Sequence, residues 1–262
     1  MWMSTIVVLV KNVPDTWSKR TLEADFTLDR EGVDEVLDEI NEFALEQALR
    51  LREANPGHKV VALSAGPESA DEALRKALSM GADEAILLTD GALAGSDLLG
   101  TAWALNNAIN TIPDVSLIVA GAASSDGSMG ALPGVLAEYR QVPALTGLSR
   151  VAIEGADVTG TRVDHRGSFE LKAALPAVVS ITDKADKPRF PNFKGIMAAK
   201  KATIARLNLA QIGVTPEQVG LAHAATAVTA ASERPARTRG EVISSGDAAA
   251  RIAEHLAADN VI

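Results

Sequence analysis

The stretch Val115–Gly130, with the sequence VSLIVAGAASSDGSMG, decides how the chain is interpreted. Its first part, up to Ala120, has the length and β-branched content of a buried parallel strand. From Gly121 onward the residues are small and offer free backbone N–H groups, as in a loop that cradles a phosphate at a helix N-terminus. A glycine-rich turn that only joins a strand to a helix has the same composition. Neither GxGxxG nor GxxxxGK[ST] fits the loop, so both interpretations stay open at this point.

Upstream of this stretch, short apolar runs alternate with amphipathic segments. Thr5–Val10, Lys59–Ser64 and Glu84–Thr89 are predicted strands, and apolar residues at steps of three and four predict a helix after each. Residues 16–36 form a long connection between the first strand and its helix. The alternation implies βαβ units and therefore a parallel sheet, whose ligands bind beyond the carboxyl ends of the strands. We therefore expect one crevice to form from three loops: Leu9–Asn12, Ser64–Gly66 and Gly121–Gly130.

After Pro143 the pattern changes. Short alternating segments separated by glycines predict an antiparallel extension, and the run 176–182 predicts one more buried strand. Residues 207–240 are rich in Ala, Thr and Pro and predict an extended arm, which a helix-like stretch at 245–258 follows. The sequence thus predicts two regions, a nucleotide-binding domain at 1–206 and an arm with a terminal helix at 207–262.

Residues 183–206 concentrate positive charge in a chain whose formal net charge is −9. Two prolines, Pro188 and Pro191, rigidify the approach to apolar side chains that lysines surround. An apolar anchor ringed by charge is typical of a surface that docks another protein. A basic run is also compatible with an ordinary solvated face. The apolar side chains in question are Phe190, Phe193, Ile196 and Met197.

The composition disfavours several kinds of chemistry. The chain has no cysteine and only four scattered histidines, so we predict no metal site. Its acidic balance disfavours a nucleic-acid surface. No G-x-S-x-G elbow surrounds Ser124 and Ser125, so nucleophilic catalysis is not expected. Asp126 is compatible with binding a ribose hydroxyl or Mg²⁺, or with capping the next helix.

The N-terminal apolar run is much shorter than the ~20 residues of a membrane span, and no basic leader precedes it. We therefore expect a cytoplasmic protein without membrane insertion.

Four segments then occur in a characteristic order: Val10-Lys11 with Val13-Pro14-Asp15, Ala77 to Asp83, Leu175 to Val179, and Pro188-Arg189-Phe190 with Ile196 to Lys201. Together they resemble the β subunit of electron transfer flavoproteins, the FixA-type small subunit, from about residue 4 to the C-terminus. The resemblance implies a Rossmann-like α/β fold of the adenine nucleotide α hydrolase-like type. Such a fold has a parallel sheet with helices on both faces, and here a small antiparallel extension and a C-terminal arm.

The same resemblance implies a heterodimer that shuttles electrons. Its α subunit carries most of the FAD site, and its β subunit holds an AMP with a structural role. Electrons would come from flavoprotein dehydrogenases, such as the acyl-CoA dehydrogenases of fatty acid oxidation, and pass to a quinone-linked oxidoreductase. The chain would then be an electron-carrier subunit with no catalytic residues of its own, and not an enzyme.

Carried over position by position, the AMP contacts fall on strand ends and on one helix start: Leu9, Asp38, Glu39, Ile40, Asn41, Ala65, Gly121, Ala122, Ala123, Ser124, Ser125, Asp126, Gly127, Ser128, Met129, Gly130, Ala131 and Leu132. The family's recognition loop corresponds to residues 183–201, with Phe193 at the anchor position where leucine is common. The implied docking residues are Pro188, Arg189, Phe193, Ile196, Met197, Lys200 and Lys201.

Three alternatives remain beside this interpretation. Bifurcating relatives bind a second FAD in the equivalent pocket with an Asp-Gly-Asp-Thr-Ala-Gln loop, of which this chain has only Asp126-Gly127, so AMP is favoured. An adenine-nucleotide-hydrolysing enzyme of the same fold would usually carry a Ser-Gly-Gly-x-Asp-Ser loop after the first strand, where this chain has Val10-Lys11-Asn12-Val13. A stand-alone nucleotide-binding regulatory protein is the third.

Overall fold

The computed structural model describes residues 4–237, 239–240, 242–243 and 246–262. Within them the strands are β1 (Ser4–Leu9), β2 (Asn12–Pro14), β3 (Glu35–Leu37), β4 (His58–Ala65), β5 (Glu84–Leu88), β6 (Val115–Gly121), β7 (Ala144–Glu154), β8 (Asp157–Asp164), β9 (Gly167–Ala174), β10 (Ala177–Ile181) and β11 (Ala205–Leu207). The α-helices are α1 (Glu39–Ala54), α2 (Asp71–Met80), α3 (Leu98–Asn110), α4 (Leu132–Arg140), α5 (Phe193–Lys201) and α6 (Ala248–Ala258).

Apart from β2 and β3, these strands form one sheet in the order β11-β5-β4-β1-β6-β10-β7-β8-β9. The pairs from β11 to β7 are parallel. The last two pairs, β7 with β8 and β8 with β9, are antiparallel. A parallel sheet with an antiparallel extension is what the sequence predicts, and the fold class is confirmed.

Helices cover both faces of the parallel part. Because successive side chains of a strand point to opposite faces, each strand contributes to two separate cores. Ile6 packs in one core with Leu45 of α1, on the face that α2 also covers. Val7, its neighbour, packs in the other core with Ile109 of α3 and Leu136 of α4. The nearly continuous apolar sequence of the central strands follows from this two-sided burial.

The long connection between β1 and α1 starts and ends in a small antiparallel ribbon. Asn12 of β2 pairs with Leu37 of β3, directly before the first turn of α1. The ribbon therefore brings the start of α1 beside the end of β1. This placement forms one wall of the candidate site.

The compact unit extends beyond the sequence-based boundary at 206/207 and ends at Thr229. After β11, three short 3-10 turns follow at Ala210–Ile212, Pro216–Gln218 and Leu221–His223. Leu209, Ile212, Val214 and Val219 are buried in the core that α3 and α4 line. These four side chains join 207–229 to the sheet, although the composition of this region suggests an arm.

A second unit begins at Ala230 and contains α6. The predicted helix at 245–258 is present from Ala248, and Ser245 lies outside the described residues. None of the described residues from 230 onward is buried. Among the described helices none is both long and apolar enough to cross a membrane.

Candidate functional site

The three loops expected to converge lie side by side at one edge of the sheet. We call the space between Leu9–Asn12, Ser64–Gly66 and Gly121–Gly130 the strand-end crevice. β1 lies between β4 and β6, so the carboxyl ends of these three strands are neighbours. The backbone N–H of Val10 donates to the carbonyl oxygen of Leu63 at 3.0 Å, which continues the β1–β4 pairing into the loops.

The first turn of α1 closes the crevice from one side. Oδ1 of Asn41 accepts a 2.8 Å hydrogen bond from the backbone N–H of Lys11. Oδ2 of Asp38 accepts one of the same length from the backbone N–H of Ser125. Ile40 also faces this loop, whereas Glu39 is exposed at the surface. Of the four residues that the resemblance assigns at the helix start, three therefore contact the crevice.

Gly121 is the point of closest approach between α1 and the loop after β6. A Cβ atom at this position would lie 2.7 Å from Nδ2 of Asn41 and 2.8 Å from Cγ2 of Ile40. Both distances are far below an ordinary contact between such atoms of ~3.5–4.0 Å. A glycine is therefore required for α1 to pack against this loop.

Asp126 is the charged centre of the loop. Its side chain is only 3 % exposed, and its two oxygens accept hydrogen bonds from Nζ of Lys11 at 2.7 Å and Nη2 of Arg30 at 2.8 Å. Burial alone would raise the pKa of Asp126, but the charge of Lys11 and the hydrogen bonds from both cations outweigh it and lower that pKa. The nearby Asp38 forms no ion pair within the described part of the chain, and burial raises its pKa. Of these two carboxylates, Asp126 therefore stays charged more readily.

Asp126 does not cap the following helix, because the residue at the N-cap of α4 is Ala131. The 127–131 part of the loop, with Met129, is exposed, while 121–126 and Leu132 are half-buried. Leu9 is buried and Ala65 half-buried at the ends of their strands. Among the described residues, no group of three or more His, Cys, Asp or Glu side chains is arranged to hold a metal ion.

Several polar groups in the crevice are buried or enclosed without a partner in the protein. Oδ1 of Asn12, Oγ of Ser64 and Oγ of Ser125 are buried and have no hydrogen-bond partner among the described residues. In the described part of the chain, the backbone N–H groups of Ala123 and Ser124 also donate to no acceptor. An unpaired buried polar group costs about 1–3 kcal/mol, so native proteins pair such groups with water or a ligand. These groups at the strand ends are therefore the ones that ordered water or a ligand would pair with.

Two arginines from the long connection also reach the crevice, and the sequence interpretation did not assign them to it. Arg30 bonds Asp126, Glu35 and the carbonyl oxygen of Asn12. Nη1 of Arg20 donates to the carbonyl oxygen of Ser125 at 2.8 Å. A polar connection with scattered charges gives no local signal for such contacts. Lys11 directly follows a predicted strand, which is a weak indication that it lies at the crevice.

The predicted recognition loop contains the helix α5. Asn192 caps the start of this helix: its Oδ1 accepts a 2.8 Å hydrogen bond from the backbone N–H of Gly195. Phe190 is 94 % exposed and Phe193 79 % exposed, while Pro188 is half-buried before them. The remaining predicted docking side chains on α5 are also exposed: Ile196, Met197, Lys200 and Lys201.

Arg189 has a contact that the sequence interpretation did not anticipate. Its guanidinium group does not extend into solvent but binds two carboxylates of α1, Glu46 and Glu53. The side chain is 33 % exposed as a result. A pair so distant along the chain leaves no local sequence pattern.

Comparisons with known proteins identify the family of the chain. The electron transfer flavoprotein domain family matches residues 25–212. The chain is 52 % identical to the electron transfer flavoprotein subunit beta of Mycobacterium leprae and 51 % identical to that of Mycobacterium tuberculosis, each over 99 % of this chain and 100 % of the relative. It is 34 % identical to the caffeyl-CoA reductase-Etf complex subunit CarD of Acetobacterium woodii, over 91 % of each chain. The chain therefore belongs to the electron transfer flavoprotein family, as a β subunit that carries electrons and is not itself an enzyme.

Proposed function

We propose that this chain pairs with an α subunit, holds a structural AMP in the strand-end crevice and helps to enclose the FAD that the α subunit mainly carries. The observation that supports the AMP site is the set of buried, unpaired atoms at the crevice: Asn12 Oδ1, Ser64 Oγ and Ser125 Oγ. The hydroxyl groups of a ribose and the oxygens of a phosphate would pair with these atoms and with the free N–H groups of the loop. Lys11 and Arg30 add positive charge nearby, although Asp126 neutralises part of it.

The bound FAD would supply one- and two-electron transfer, and the residues of this chain supply positions and contacts. No acid, base or nucleophile of this chain is needed for that role. We propose that the heterodimer accepts electrons from flavoprotein dehydrogenases, such as acyl-CoA dehydrogenases, and passes them to a quinone-linked oxidoreductase. A cytoplasmic location stays a prediction from the sequence.

The exposed apolar group on and before α5 supports a docking role for the recognition loop. Phe190 and Phe193 are large aromatic side chains in solvent, and Ile196 and Met197 lie one turn further. Aromatic side chains contribute strongly to binding at interfaces when a partner buries them. The exposed lysines of the same segment favour a partner surface with carboxylates at its rim.

The test is to co-express the chain with its α subunit, purify the complex, denature it and identify the nucleotides released. One AMP and one FAD per heterodimer is the expected result. Two FAD would contradict the AMP assignment and place a second flavin in the crevice. Failure to obtain a stable complex that contains flavin would contradict the proposal as a whole.

A matched pair of variants tests whether the crevice is the AMP site. Ser125→Ala removes a buried hydroxyl that has no hydrogen-bond partner among the described residues. Ser149→Ala removes a hydroxyl on β7, outside the predicted AMP contacts, that bonds the carbonyl oxygen of Thr161 at 3.1 Å. Ser125→Ala should weaken retention of AMP roughly 2–10-fold, which corresponds to one hydrogen bond, and Ser149→Ala should not. Equal retention in both variants would contradict the placement of AMP beside Ser125.

A further inference from the structure

The segment that carries the exposed aromatic side chains is held in place by α1. Nε of Arg189 donates to Oε2 of Glu46 at 2.8 Å, and Nη2 donates to Oε1 of Glu46 at 3.1 Å. The same guanidinium group donates to Glu53 through Nη1 at 2.5 Å and Nη2 at 3.1 Å. The backbone N–H of Arg189 adds a bond of 3.1 Å to Glu46. Every nitrogen of this residue is therefore bonded to α1.

The spacing and burial of Glu46 and Glu53 suit them to hold Arg189 in place. Glu46 and Glu53 are seven residues apart, so they lie two turns apart on the same side of α1. The Glu46 side chain is only 3 % exposed, which on its own would raise its pKa, but hydrogen bonds from Arg189 and Arg50 lower that pKa. A buried carboxylate that stays charged needs its cations, and breaking such a pair is strongly destabilising.

The other end of the segment is held by α2. Nη1 of Arg75 donates to the carbonyl oxygen of Ala199 at 2.9 Å, in the last turn of α5. Gly195 packs directly against the carbonyl oxygen of Ser79, with no room for a side chain. Phe190 and Phe193 thus lie between Arg189, which is bonded to α1, and the last turn of α5, which is bonded to α2. Rigid presentation of a binding surface lowers the entropy lost on association.

We propose that Arg189 is a positioning residue: it does not bind a partner itself but fixes Phe190 and Phe193 for an electron-donating flavoprotein whose surface offers an apolar pocket rimmed by carboxylates. The charge of that rim follows from the exposed basic residues of the same segment, Lys187, Lys194, Lys200 and Lys201. This inference rests on the proposed docking role of residues 183–201. It assigns Arg189 a role different from the direct docking that the sequence interpretation implied.

The test uses the complete heterodimer with four variants. Arg189→Gln removes the charge, Arg189→Lys keeps it without the planar fork, and Phe193→Ala removes the anchor. Arg52→Gln is the matched control, because Arg52 also lies on α1 and forms an ion pair of 2.9 Å, but with Asp83. Two properties are measured for each: hydrogen exchange of residues 187–194, and KM and kcat for flavin reduction by a purified acyl-CoA dehydrogenase.

In Arg189→Gln we expect exchange in 187–194 to become at least about tenfold faster and KM to rise about tenfold, equivalent to roughly 1.4 kcal/mol of binding. The value of kcat should stay within about twofold, because the flavin site is untouched. Arg189→Lys should recover part of the loss, and Arg52→Gln should behave as the wild type.

Unchanged exchange and unchanged KM in Arg189→Gln would overturn the proposal. If Phe193→Ala raises KM while Arg189→Gln does not, docking stands and the positioning role is wrong. If Phe193→Ala leaves KM unchanged, the docking function is wrong, and the exchange data still decide whether Arg189 fixes the segment.

Discussion

Gly121→Ala tests the packing that forms the strand-end crevice. The added Cβ would lie 2.7 Å from Nδ2 of Asn41 and 2.8 Å from Cγ2 of Ile40. The Asn41 side chain does not move easily, because its Oδ1 also accepts a hydrogen bond from the backbone of Lys11. Overpacking of this kind costs about 1–3 kcal/mol of folding free energy. Since each kcal/mol lowers the melting temperature by about 2–4 °C in a domain of this size, we expect a decrease of roughly 2–12 °C.

The assay is differential scanning calorimetry of the purified heterodimer, followed by measurement of AMP released on denaturation. Gly121→Ala should lower both the melting temperature and the AMP content, because the start of α1 must move away from the loop. Gly134→Ala is the matched control: Gly134 lies in the first turn of α4, and an added Cβ there meets nothing within 4 Å. A melting temperature and AMP content equal to the wild type in Gly121→Ala would refute the packing argument.

Three further predictions concern other contacts. Asp126→Asn should lower the free energy of unfolding at pH 7 by about 1–3 kcal/mol, as expected for hydrogen bonds to a charged group. The pKa of Asp126 is lowered in the folded protein. The stability that its charge contributes is therefore fully present above the unfolded pKa near 3.8 and is lost as the pH falls through the native pKa. In chemical denaturation, the difference between Asp126→Asn and the wild type should vanish in acid. Gly195→Ala should displace α5 from Ser79 and raise KM for the dehydrogenase without changing flavin content; an unchanged KM would contradict this packing. A chain that stops after Thr229 should keep the circular dichroism spectrum and cooperative melting of the α/β unit, since none of the described residues beyond it is buried; loss of that transition would count against the boundary.

The fold was predictable because its determinants are local. Runs such as Val115–Ala120 are apolar at every residue except Ser116, which indicates a strand buried on both sides, and the helices show their stripes at steps of three and four. Parallel pairing then places the loops after β1, β4 and β6 at the same edge without any further information. For this reason the position of the crevice followed from the sequence, although its contacts did not.

The contacts that the sequence did not reveal join distant residues. Arg30 and Asp126 are 96 positions apart, and Arg189 and Glu46 are 143 apart, so no periodicity or motif connects them. The region 207–229 differs from its prediction for a related reason. Its Ala, Thr and Pro content suggests an arm, but a few apolar side chains, Leu209 and Ile212 among them, are enough to fix it to the core. Composition averages over such residues and misses their effect.

The helix α1 connects the two surfaces to which we assign a function. Its N-cap Asp38 and the first-turn residue Asn41 contribute to the crevice, and Glu46 and Glu53, further along the helix, anchor Arg189. At a rise of 1.5 Å per residue, Asn41 and Glu53 lie about 18 Å apart along the axis.

Half of the residues of α1 are buried against the sheet, so the helix cannot tilt at one end without disturbing the core. A nucleotide that only fastens the start of α1 would therefore also stabilise the position of the aromatic side chains at Phe190 and Phe193, although it touches neither. If AMP binds in the crevice as proposed, this connection would give it a structural role in positioning Phe190 and Phe193 without any redox chemistry of its own.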